Sequence, residues 1–197
     1  MKKTIIYVHG KGGNKLEADR YKAIFSDSRV LGVDYDPAPQ KAPKDINLFV
    51  RQSKNDGEVI LIANSIGAYF SMIAGIDNEI SKAYFISPIV DMEKIILNLM
   101  KAANVTEERL RKEKIIPTEF GEPLSFEYLS FVRNNPIRWR APTAILYGEN
   151  DAFTDFETMR NFAVSIGATI TTMPNGEHWF HTPEQLEFLD NWIKSVQ

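Results

Sequence analysis

The chain has 197 residues, 44% of them hydrophobic, with a formal net charge of −3 and no cysteine. That length supports one domain with a substantial buried core, and the interspersed charges lack the clustered Lys/Arg excess that binding DNA or RNA requires. The missing cysteines exclude disulfides, thiolate metal sites and cysteine catalysis, and fit a reducing, cytoplasmic setting.

At the N-terminus, Lys2 and Lys3 precede an apolar run, Thr4–Val8, that stops at His9-Gly10. A signal h-region needs roughly 7–15 apolar residues, so the run reads as a first strand. Further strand-type runs occupy Arg29–Val33, Val59–Ala63, Lys82–Ile86, Thr143–Tyr147 and Thr169–Met173. Most are continuous rather than alternating, as strands covered on both faces of a parallel sheet are. Helix-compatible stretches lie between them at Lys15–Phe25, Lys44–Ser53, Ser65–Ile76, Thr154–Ile166 and Pro183–Ser195. The last has a strong start signal, with Thr182 as N-cap and Pro183 at the first helical position. This alternation predicts an α/β chain, a three-layer α/β/α sandwich around a mostly parallel sheet of about six strands. No stretch approaches the ~20 apolar residues of a membrane span, so no membrane partner is expected.

One segment, from about Asp91 to Arg140, is longer than a crossover helix needs. It contains an amphipathic stretch (Met92–Ala102), a charged stretch (Thr106–Lys114) and an aromatic run (Phe126–Phe131). It is expected to form a small helical cap, either packed as plain helices or acting as a lid. Phe126, Tyr128, Phe131 and Trp139 fit an acyl pocket or simple packing of that cap.

The most informative residues are Ala63-Asn64-Ser65-Ile66-Gly67, which join an apolar strand run to a helix. A serine on a sharp strand-to-helix turn with small residues two places to either side is the arrangement of a nucleophile elbow. The usual pattern is G-x-S-x-G, and Ala63 replaces its first glycine. A serine hydroxyl needs a base, and the base an orienting group. Of the three histidines, His178 stands just after the last strand, behind Gly176, whereas His181 lies three residues further on. Asp151 stands at the turn after Thr143–Tyr147, with Glu149 and Asp155 as rivals. The order is nucleophile Ser65, acid Asp151, base His178. Oxyanion donors are expected from the backbone N–H of Ile66, at a helix N-terminus, and of Lys11, in the glycine loop after the first strand.

Taken together, His9-Gly10-x-Gly12-Gly13, Ser65-x-Gly67, Gly148-x-x-Asp151 and Gly176-x-His178 resemble the α/β-hydrolase superfamily over nearly the whole chain. The first two strands of the fuller family form are expected to be absent, and residues 91–140 occupy the place of its cap. The resemblance implies hydrolysis of a small ester or thioester through an acyl-enzyme, with a small-molecule acyl substrate and no cofactor. A non-catalytic binding member of the same fold is the alternative. Nothing in the sequence indicates a homo-oligomer.

Other chemistries fit less well. Gly10-x-Gly12 follows a strand, and Asp34 falls roughly where a ribose-binding acid would, but Lys15 occupies the third glycine position of G-x-G-x-x-G. No Gly-Lys-Ser/Thr follows, as a Walker loop requires. His178-x-x-His181 alone is a weak metal motif, and a carboxylate-nucleophile dehalogenase is disfavoured by a serine at the elbow.

Overall fold

The computed structural model describes residues 3–54, 57–119 and 121–197. They form two compact units, Met1–Val90 with Ile137–Gln197, and Asp91–Pro136. In chain order the elements are β1 (Thr4–Val8), a 3-10 helix (Lys15–Lys22), β2 (Arg29–Gly32), α1 (Ala42–Ser53), β3 (Val59–Asn64), α2 (Ile66–Ile73), a 3-10 turn (Asp77–Glu79) and β4 (Lys82–Ile86). The second unit holds α3 (Met92–Ala102), α4 (Glu107–Glu113), β5 (Ile115–Ile116), β6 (Leu124–Ser125) and α5 (Phe126–Asn134). The chain then returns through β7 (Thr143–Gly148), α6 (Phe156–Ile166), β8 (Thr169–Met173) and α7 (Pro183–Ser195).

In the first unit the described strands make one six-stranded sheet, ordered β2-β1-β3-β4-β7-β8. Every pairing of its described strands is parallel, as the continuous apolar runs lead one to expect. Period-two alternation sends side chains to two buried faces. On one face Ile5, Ile62, Tyr84 and Leu146 pack with Tyr21 of the 3-10 helix and with Leu189, Trp192 and Ile193 of α7. On the other, Ile6, Leu61, Phe85 and Ile145 are also buried, as are Ile46 and Val50 of α1 and Phe70 of α2. Helices on both faces explain the continuous apolar runs.

From β1 the chain goes first to β2 on one side, then to β3 on the other. That reversal makes the carboxyl ends of β1 and β3 the topological switch point, the position at which open α/β sheets bind ligands. Register pairs Val8 with Ala63 and Asn64 with Ile86, so these strands end at nearly the same level.

Several boundaries differ from the sequence expectation. Lys15–Phe25 winds as a 3-10 helix over Lys15–Lys22, pressed onto β2. A Cβ at Gly32 would stand 1.9 Å from the Lys15 carbonyl oxygen, so glycine alone permits that approach. The helix expected from Thr154 begins at Phe156, with Asp155 as its N-cap. Trp139 belongs to the sheet-bearing unit: it is buried, donates its indole N–H to Thr143 Oγ1 at 2.8 Å and meets the Phe85 ring at 5.4 Å. It is a core residue there rather than part of an acyl pocket.

In the second unit, Asp91, Thr106 and Ser125 cap α3, α4 and α5, and β5 and β6 form an antiparallel pair. The Arg133 guanidinium on α5 reaches Glu93 of α3 at 2.7 Å and Glu107 of α4 at 2.9 and 3.0 Å. One planar fork therefore ties three helices, and its hydrogen bond holds the Glu107 carboxyl below the usual range. Among the described residues no helix is long and apolar enough to cross a membrane.

Candidate active site

β3 ends at Asn64, and Ser65 takes φ 53° and ψ −122°, a region that non-glycine residues rarely occupy. The neighbouring strand holds it there. Ser65 N–H donates to the Ile86 carbonyl at 3.0 Å, and Ile89 N–H donates to the Ser65 carbonyl at 3.2 Å. Between those two partners Ser87 also has a positive φ, 41°, which turns the chain back after β4. Two strained residues thus over-determine each other. Gly67 and Gly10 provide the room: a Cβ at 67 would lie 2.2 Å from the His9 carbonyl oxygen, and one at 10 would lie 3.3 Å from Ser65 Cβ.

The loops after β7 and β8 are laced together. Glu149 N–H donates to the Met173 carbonyl (3.1 Å), Asn150 N–H to the Gly176 carbonyl (2.8 Å), and Asn175 N–H to Glu149 Oε2 (2.9 Å). Gly148 permits this, because a Cβ there would meet the Glu177 carbonyl oxygen at 2.4 Å. The lacing brings Asp151 Oδ2 to 2.7 Å from His178 Nδ1. The other carboxylate oxygen accepts Phe153 N–H at 2.8 Å and Thr154 N–H at 3.1 Å. Asp151's side chain is 0% exposed, so these three donors replace the water it has lost.

His178, its side chain 14% exposed, stands between that carboxylate and the serine, with Nε2 at 2.8 Å from Ser65 Oγ. A carboxylate only accepts, so Nδ1 carries a proton, and in the neutral ring Nε2 is the acceptor for the Ser65 hydroxyl. The Phe153 ring, 58% exposed, leans on the imidazole at 4.6 Å between centroids. An uninterrupted hydrogen-bonded chain therefore runs from a serine on a strained turn to a buried carboxylate.

The structure separates the rivals from this chain. His181 is exposed, with Nδ1 at 2.7 Å from the Trp179 carbonyl oxygen. Glu149 serves the loop lacing, and Asp155 caps α6 by accepting Thr158 N–H at 2.9 Å. Asp34 is bridged by Lys15 at 2.9 Å, which holds its carboxyl below the usual range. Ile66 opens α2 directly after Ser65, and Lys11 follows Gly10 in the loop resting on the serine.

Tyr35 was missed by the sequence reading. Its hydroxyl donates to the His9 carbonyl at 2.8 Å, and its ring stacks on the His9 imidazole at 4.5 Å. Burial raises its phenol above the ordinary tyrosine value. A contact spanning 26 positions leaves no local signal.

The sequence matches no protein-family model and no curated protein. Solved structures are similar in fold. Est1E from Butyrivibrio proteoclasticus, with ferulic acid bound, superposes with a TM-score of 0.76 at 18% identity, over 98% of this chain and 87% of that one. Mouse alpha/beta hydrolase domain-containing protein 10 gives 0.74 at 14% identity, over 98% and 88%. A soluble variant of monoglyceride lipase from Saccharomyces cerevisiae, in complex with a substrate analogue, gives 0.63 at 16%, over 100% and 86%.

Proposed function

We propose, from the premise that this chain has the α/β-hydrolase fold, that it is a serine hydrolase cleaving a small ester or thioester. The hydrogen-bonded order Ser65–His178–Asp151, at 2.8 and 2.7 Å, carries the reading. Names among the similar structures, a monoglyceride lipase and hydrolases, agree with hydrolysis.

In this reading Ser65 Oγ attacks the substrate carbonyl carbon while His178 Nε2 takes its proton. Asp151 keeps the imidazole in the required tautomer and stabilises the imidazolium as it forms. The tetrahedral oxyanion meets the backbone N–H groups of Ile66 and Lys11. Such donors act because they are in place before the charge develops, and losing one typically costs about 2.7–4 kcal/mol of barrier. Collapse expels the alcohol or thiol, which leaves with the proton held by His178. Water then attacks the acyl-serine, with His178 again as base, releasing the acid and restoring Ser65. No cofactor enters this sequence.

The direct test is a fluorophosphonate probe with mass spectrometry to locate the adduct, using Ser65→Ala as control. An adduct on Ser65, absent from the variant, is expected. Folded protein that takes no label and hydrolyses no p-nitrophenyl ester would overturn the proposal.

A further inference from the structure

Glu17 does more than one helix cap requires. Its Oε1 accepts Asn14 N–H at 3.0 Å, completing a capping box at the start of the 3-10 helix. Its Oε2 is engaged differently, accepting the Tyr7 hydroxyl at 2.7 Å. Tyr7 is a buried residue of β1, one place before Val8, which pairs with Ala63 of β3 beside the elbow. The same carboxylate lies under Gly13, where a Cβ would stand 2.5 Å from Oε1 and 3.1 Å from Oε2. Gly13 N–H returns to the Gly10 carbonyl at 3.2 Å, closing the turn that carries Lys11. The glycine turn is thus seated on Ser65 at its Gly10 end and on Glu17 at its Gly13 end.

We propose that Glu17 is a positioning residue for the oxyanion donor, holding the Gly10–Gly13 turn at a fixed height over the elbow through its bond to Tyr7 of β1. The inference rests on the serine-hydrolase reading above. A phenol-to-carboxylate bond is charge-assisted and short, so it suits a strut that must not give. A capping box by itself accounts for Oε1 and leaves Oε2 to water. Here Oε2 is committed to a buried phenol of β1, the strand that runs directly into the glycine turn. Displacing the turn leaves ground-state binding almost untouched, because the Lys11 N–H matters most when the oxyanion forms. The loss therefore falls on kcat.

The test compares wild type with Glu17→Ala, Glu17→Gln and Tyr7→Phe, measuring kcat and KM separately on p-nitrophenyl acetate. Inhibition by a trifluoromethyl ketone, which forms a tetrahedral oxyanion on serine, is measured alongside. Glu17→Ala is expected to lower kcat about 10–100-fold, with KM nearly unchanged and the ketone weakened in proportion. Glu17→Gln should recover part of that loss, since its single carbonyl oxygen still accepts one of the two bonds. Tyr7→Phe, which keeps the buried ring, should repeat the pattern and carries the test alone should Glu17→Ala not fold. A fall in thermal stability with kcat intact, or a rise in KM in place of a fall in kcat, overturns the proposal. If instead wild type neither turns over ester nor takes label at Ser65, the hydrolase reading fails and this inference falls with it.

Discussion

Gly67 and His9 meet backbone to backbone: the space where residue 67 would carry a Cβ is filled by the His9 carbonyl oxygen, 2.2 Å from that position. The helix that begins after the serine can sit on the end of β1 only because nothing projects from position 67. Gly67→Ala is expected to destabilise the fold by more than about 3 kcal/mol, since the clash is with backbone and no side chain can rotate away. Urea denaturation of the variant would check this. A loss below about 1 kcal/mol, within what exposed helix positions tolerate, would show that α2 can shift freely.

Ser65→Ala should leave the circular dichroism spectrum unchanged and reduce esterase turnover by about 10⁴–10⁶-fold, the range seen when a triad nucleophile or its partner is removed elsewhere. Steady-state kinetics with p-nitrophenyl acetate measure it.

Asp151→Asn and Asp155→Asn separate two acids only a few residues apart. The first puts an amide where His178 needs an acceptor, and turnover should drop about 10⁴-fold. The second exchanges one good N-cap for another, so turnover and stability should both stay near wild type. Equal effects from the two variants would refute the assignment of Asp151.

Alkaline pH should unfold the protein through its buried phenols. Burial pushes Tyr84 up to about 12 and raises Tyr7, Tyr21, Tyr35 and Tyr69 above the ordinary value of about 10. A group whose folded pKa exceeds its unfolded one contributes stability that is whole below the unfolded value and declines as pH rises through the folded one. The melting temperature should therefore hold up to about pH 10 and fall between about 10 and 12. Phenolate absorbance should appear together with unfolding. Tyr84→Phe should make the decline shallower.

The legible parts of this molecule are those written in short stretches of chain. Continuous apolar runs such as Val59–Ile62 announce strands covered on both faces, and the sheet is built from them. Ser65, Asp151 and His178 each follow a strand of that sheet closely, so strand ends and residue type alone bring them forward, and the structure stands them in hydrogen-bond reach. Contacts between distant segments were not legible. The 3-10 winding at Lys15 depends on a missing side chain at Gly32, the strain at Ser87 on how β4 turns back beside Ser65, and the burial of Trp139 on Phe85. Each depends on geometry that no local window of sequence contains.

The lacing between the loops after β7 and β8 has a dynamic consequence. Glu149 and Asn150 donate their amide protons to the Met173 carbonyl at the end of β8 and the Gly176 carbonyl just beyond it, and Asn175 donates its own to the Glu149 carboxylate. The two backbone-to-backbone bonds, from Glu149 and Asn150, break when the loop after β7 draws away from the end of β8 and the loop beyond it. Exchange with deuterated water should release the Glu149 and Asn150 amides in one concerted opening, with a common free energy, rather than residue by residue. Under the proposed assignment of Asp151 and His178, this lacing keeps acid and base paired while it holds, and the opening that frees the amides parts them.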